Sequence, residues 1–198
     1  MSTASDTSGR ARRRVDREQV LAAAEAIVDE QGWDHLSMAR LAGALGIKVP
    51  SLYNHVRDLE TLRGELQVRT MAKLGAELQK AAMGRSGRDG IIKLATVHRD
   101  FARRFPGRYE GATREPHDRE AFADASATAN AALLAVMRNQ GLHGEEALTA
   151  ELAVFASFHG FVLLENSGLL EGTVDMDKLF DRVVDAATHG FTDTDAAA

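Results

Sequence analysis

The stretch "LSMARLAGALGIKVPSLYNHV", Leu36 to Val56, decides how the front of the chain folds. Ser37 is the residue type that caps a helix, because its hydroxyl oxygen accepts from a backbone N–H that the first turn leaves unpaired. Met38, Leu41, Ala42 and Leu45 recur at helical spacing and give a helix of about two turns with one apolar face. Gly46 stands where a left-handed C-terminal cap is needed, and Ile47 follows as an apolar plug. A second short helix is predicted from about Lys48 to Asn54; Pro50 is tolerated because it falls in the first turn. Two short helices joined by a glycine turn have the sequence form of a helix-turn-helix.

Upstream, Asp16 and Gln19 have capping-box spacing, and Val20, Leu21, Ala24, Ile27 and Val28 repeat at helical steps until Gly32. This predicts a first helix over about 16–31, with Trp33 as a core anchor at its end. Residues 1–14, small and polar and then basic, are expected to be a disordered arm. Downstream, Asp58 caps a long helix carrying Leu62, Leu66, Leu74 and Leu78. Gly87 to Arg104 is apolar at Ile91, Ile92, Leu94, Ala95, Val97 and Phe101, and Pro106 and Gly107 break it. "RYEGATR" is at most a short helix. Pro116 opens a helix reaching Gln140, Glu145 to Asn166 forms another, and Met176, Leu179, Phe180, Val183, Val184 and Ala187 mark a last amphipathic one. With three prolines and no sustained alternation, the expected fold is all-α, with about nine helices.

At 198 residues, 44% hydrophobic and 27% charged, the chain suits one globular unit or two small modules sharing a core. The absence of cysteine excludes disulfides, thiol nucleophiles and thiolate metal sites, and fits a reducing cytoplasm. No apolar run approaches the ~20 residues of a membrane span, and "MSTASDTSGRARRR" lacks the apolar region of a secretory signal. The net charge of −5 is unevenly spread: residues before Arg114 carry a basic excess of five, and those from Arg114 onward an acidic excess of ten. A polyanion would approach the first part and avoid the second, although a basic tail beside an ordinary acidic surface gives the same figures.

A helix-turn-helix presents the N-terminal end of its second helix to base edges in the major groove. Here that end is "KVPS". Lys48 can donate to guanine acceptors or phosphate, Val49 and Pro50 can touch thymine methyl groups, and Ser51 can hydrogen-bond to either. Tyr53, Asn54 and His55 can donate to phosphate oxygens, and Ser37 can offer its hydroxyl and helix N-terminus to another. Arg10, Arg12, Arg13, Arg14 and Arg17 would add counterion release or reach a minor groove. Residue by residue, core packing of Tyr53 and His55 and plain solvation of Lys48 compete with these roles.

"LSMARLAGALGIKVPSLYNHVRDLETL" resembles the DNA-binding region of the TetR family of bacterial transcriptional regulators, through Ser37, Leu41, Ala42, Leu45, Gly46, Ile47, Pro50, Ser51, Leu52, Tyr53 and His55. Three positions depart from the family pattern: Lys48 replaces a small cap, Val56 replaces Phe, and Leu59 stands where a phosphate-contacting Lys is frequent. Arg57 is the candidate substitute for that Lys. The resemblance implies a helix-turn-helix domain over 15–57, a ligand-binding and dimerisation domain over 58–191 and a disordered tail over 192–198. It further implies a homodimer on a palindromic operator, usually a repressor, released by a small-molecule effector. "FHG" at Phe158 to Gly160 is similar to a subgroup with Trp-His-Gly in this helix.

"FASFHGFVLLENSGLL" is apolar around its whole circumference, which fits a helix between the core and a second subunit, or a buried core helix of a monomer. The helices at about 145–166 and 174–191 are the expected homodimer interface. Candidates for the ligand pocket are Phe101, Phe105, Tyr109, Phe122, Met137, Phe155 and His159, aromatic and Met side chains that equally suit plain core packing. His98, His117 and Asp118 are candidate polar partners for a ligand, and surface solvation suits them equally. "HRD" at His98 to Asp100 matches a kinase loop fragment with no glycine-rich loop or DFG beside it, and there is no HExxH, GxSxG or P-loop. His117, Asp118 and Glu120 offer at most a weak metal site. No catalytic residue, metal or cofactor is therefore expected. The rival readings are a helical carrier protein, which leaves the Gly46 turn without a purpose, and a small all-α enzyme, which lacks a catalytic constellation.

Overall fold

α1, Arg17–Gln31, begins where Asp16 caps it: the Asp16 carboxylate accepts from Gln19 N at 2.8 Å, and the Gln19 side chain accepts from Asp16 N at 3.1 Å. The computed structural model describes residues 15–192, with side chains to residue 189. The basic arm at 1–14 and the tail from 193 lie outside the described residues. Among the described residues the chain is all-helical, with nine α-helices and one 3-10 turn at Trp33–His35. α2 is Met38–Leu45, α3 Val49–Leu52, α4 Leu59–Ala82 and α5 Gly87–Arg104. α6 is Pro106–Ala112, α7 Arg119–Arg138, α8 Gly144–Asn166 and α9 Met176–Thr192.

Two apolar cores share α4. The first is built by α1, α2, α3 and the start of α4, with Val20, Leu21, Val28, Trp33, Leu41, Leu52, Leu62 and Leu66 buried. The second takes Leu74, Leu78 and Ala81 from the far half of α4 and joins them to α5, α7, α8 and α9. At 1.5 Å per residue the 24-residue α4 is about 36 Å long, so one rod runs through both cores.

Three boundaries differ from those the sequence suggests. α3 ends at Leu52, and residues 53–55 form a turn in which both His55 N and Val56 N donate to Leu52 O. Pro106 does not only end α5; it is the first residue of α6, where a missing N–H is no loss. α7 starts at Arg119 and not at Pro116, because the buried amide of Gln67 on α4 holds the preceding loop. Its Nε2 donates to Gly111 O (2.9 Å) and Glu115 O (3.3 Å), and its Oε1 accepts from His117 N (3.1 Å). Asp118 then caps α7 through Ala121 N at 3.0 Å.

α8 is long and apolar enough to cross a membrane by length and composition, contrary to the expectation that no run approaches that length. It packs against α5, α7 and α9, carries Glu151 and Glu165, and serves as the central helix of the second core.

Candidate functional site

The reading head is set by α2 and its exit. Ser37 Oγ accepts from Arg40 N at 3.3 Å, capping α2 and leaving its own O–H to donate elsewhere. Gly46 adopts φ +67°, and Gly46 N→Gly43 O (3.1 Å) with Ile47 N→Ala42 O (3.0 Å) completes the paired bonds of a Schellman cap. Ile47 and Val49 are half-buried against the first core, and Leu52 is fully buried. Lys48, Pro50, Tyr53 and Asn54 are exposed, while Ser51 and His55 are half-buried. Tyr53 at 55% exposure is no core residue. Lys48 stands at the helix N-cap position without a side-chain cap bond, as expected of an ammonium, which can only donate. Arg57 is exposed but bonds Asp58 at 2.8 Å, and Asp58, held to a pKa of about 2 by the Thr61 N–H and then Arg57, caps α4. Arg17 is tied to Glu65 at 2.6 Å and belongs to α1, not to a free arm.

The second core holds a partly open cavity of about 220 Å³ between α4, α5, α6, α7 and α8. Of the seven candidate residues, Tyr109, Phe122, Phe155 and His159 line it. Phe101 and Met137 are buried in the core away from it, and Phe105 lies beneath the cations of Lys73, Arg104 and Arg108. His98 also lines the cavity; His117 and Asp118 do not and are exposed. Sequence reasoning missed Met71, Thr113, Ser126, Asn130 and Glu151. Glu151 left a faint signal as an acid inside the apolar α8 run, four residues before Phe155. Among the described residues no His, Asp or Glu group is arranged to hold a metal.

A hydrogen-bonded relay closes one end of the cavity. Tyr109 Oη lies 2.6 Å from His98 Nε2 and 2.6 Å from His159 Nδ1. One phenolic proton can serve only one ring, so Tyr109 donates to one imidazole and accepts an N–H from the other. Burial, and then the nearby His159, push His98 down to about 3; burial also lowers His159 and raises Tyr109. The relay is therefore neutral near pH 7. Phe155 stacks on His159 with centroids 5.0 Å apart.

Tyr109 belongs to α6, whose opposite side docks on the head. Arg108 on that side is buried, and its guanidinium bonds Asp29 Oδ2 at 2.7 Å and Glu25 Oε2 at 3.1 Å, both on α1. Burial raises the Asp29 pKa even against these bonds from Arg108. A Cβ on Gly107 would sit 1.8 Å from Val28 O, and one on Gly111 would sit 2.1 Å from the Trp33 ring. Only glycine permits helix and head to meet this closely.

A family model described as the tetracyclin repressor-like C-terminal domain matches residues 91–187. An uncharacterised HTH-type transcriptional regulator of Mycobacterium tuberculosis is 37% identical over 173 residues, covering 86% of this chain and 79% of that protein. Among solved structures, a protein of unknown function from Rhodococcus superposes with a TM-score of 0.77 at 22% identity, over 92% of this chain and 98% of its own. A TetR variant from Acinetobacter baumannii in complex with minocycline gives 0.68 at 21% identity, over 90% and 97%. The chain belongs to the TetR family of DNA-binding transcriptional regulators, proteins that are not enzymes.

Proposed function

We propose that the protein is a homodimeric, ligand-responsive repressor that acts in the cytoplasm on a near-palindromic operator. Tyr109 carries this reading: one helix, α6, holds a cavity-lining side chain on one side and the docking surface for the DNA-reading head on the other. A ligand that favours a different seat for Tyr109 shifts α6, and with it the head. Release requires that the ligand bind the two arrangements with different affinity. That a structural relative is in complex with minocycline supports a small-molecule ligand for this fold.

On the DNA side, α3 of each subunit enters one of two successive major grooves about 34–36 Å apart. Lys48, Pro50 and the exposed part of Val49 read base edges with Ser51; Ser37, Tyr53, Asn54 and His55 hold phosphates. On the dimer side, α8 exposes Leu148 (48%), Leu152 (53%), Leu163 (40%) and Leu164 (43%). Gly160 lies between them with open space where a Cβ would stand. An apolar stripe of this kind on a helix already packed along its other side fits a partner copy, with α9 beside it.

The test is a gel shift with the DNA upstream of the protein's own gene over a salt series. A shifted band that weakens steeply with salt is expected from phosphate contacts. A missing or salt-insensitive shift across genomic fragments would sink the regulator reading.

A further inference from the structure

Glu151 is only 4% exposed, yet no hydrogen bond or ion pair from the described residues reaches its carboxylate. The chain treats its other buried charges differently. Arg99 pairs with Glu165 at 2.6 Å and Asp177 at 2.8 Å, and Arg108 pairs with Asp29 and Glu25. A buried carboxylate without a partner is costly unless it is neutral or something else supplies the counter-charge. Glu151 does not face protein; it faces the cavity.

Among the described residues no Lys or Arg lines the cavity, and its two histidines are held neutral by burial. The only charge it can develop near neutral pH is the negative one of Glu151. An anionic ligand finds no cation there, while a cation finds a carboxylate in a poorly hydrated setting, where the attraction is strong. The neighbouring walls are apolar and aromatic, with Leu94, Leu133, Phe122, Phe155 and Phe158, and aromatic faces also favour a cation. Burial raises the Glu151 pKa, as expected of a carboxyl whose partner the protein does not provide. An ammonium group restores the ionised form.

Size and spacing narrow the ligand further. The volume of about 220 Å³ is below that of a pocket for a drug-sized molecule. Glu151 and His159 are eight positions apart on α8, roughly 12 Å along the axis, with Phe155 between them. We propose that the cavity selects a small, mostly apolar molecule bearing one basic nitrogen, with Glu151 as its counter-ion and the Tyr109–His159 end as a neutral hydrogen-bonding pole. This rests on the cavity being the effector site and adds the chemical class of the effector.

The experiment compares phenylbutylamine, phenylbutanol and phenylbutyrate, which share one skeleton and differ in charge. Binding to the full chain is measured by calorimetry and thermal shift for the wild type and for Glu151→Gln. The amine is expected to bind about ten-fold or more tighter than the alcohol, as a charge-assisted bond allows, and the carboxylate weakest. Glu151→Gln should retain alcohol binding and lose the preference for the amine. The inference is overturned if phenylbutyrate binds as tightly as the amine, if the preference survives in Glu151→Gln, or if none of the three binds. If circular dichroism shows that the variant does not fold, the wild-type ranking of the three probes decides. Gel shifts with and without phenylbutylamine test the regulator reading separately. An amine bound through Glu151 that never alters DNA binding leaves the cavity chemistry standing and removes the effector role.

Discussion

At Gly46 the backbone takes φ +67°, a conformation that costs an L-residue about 1–2 kcal/mol, so Gly46→Ala should lower stability by that amount in urea titration. Position 43, three residues earlier, behaves oppositely. It lies inside α2, exposed, with nothing within 4 Å of an added Cβ, so Gly43→Ala should stabilise by about 0.5–1 kcal/mol. Lys48 and Tyr53 are exposed beside this turn. Their alanine variants should bind operator DNA more weakly while melting within about 0.5 kcal/mol of wild type. If Lys48 holds a phosphate, its loss should reduce the salt slope by about one; if it reads a base, sequence preference should relax instead. Gly46, Ser37 and Asp16 were legible in the sequence because caps and left-handed turns demand particular residue types. Glu151 was barely so: an acid within the apolar α8 run was its one signal, and nothing local says whether such a carboxylate faces a cavity or solvent.

Among the elements, α6 was the least legible. Pro-Gly reads as a break, yet Pro106 opens the helix and Gly107 is required by the carbonyl of Val28, a contact made across 79 positions of sequence. Periodicity cannot register a constraint imposed by a distant backbone. The same holds for α7, whose start is moved by Gln67 on α4. By contrast α1, α4 and α5 were readable, because each carries its apolar repeat and its terminal signal within itself. Gly111→Ala should lower the melting temperature sharply, since the added methyl would overlap Trp33, while urea unfolding of a surviving population should show the head and body melting less cooperatively.

For the molecule as a whole, acid should be destabilising before the ordinary carboxylates titrate. His98 is held neutral down to about 3 when folded but takes up a proton near 6.5 when unfolded. Between those values the unfolded chain binds more protons, so stability falls as pH drops below about 6.5. His159 acts in the same sense, and Glu151, raised by burial, in the opposite one. A melting series from pH 7 to 5 should slope downward in the wild type and flatten in His98→Gln. Leu152→Glu, on the exposed α8 stripe, should yield a folded monomer by sedimentation with a large loss of operator affinity; an unchanged dimer would move the interface elsewhere. The two glycines that seat α6 also bear on how such a protein can be re-engineered. They admit no larger side chain, whereas the cavity walls contributed by α7 and α8, such as Phe122, Asn130 and Phe155, already present side chains to the cavity. A library that randomises those walls and leaves Pro106–Ala112 untouched should return biosensors with altered chemical taste, while the same number of changes placed in α6 should return mostly non-folding clones.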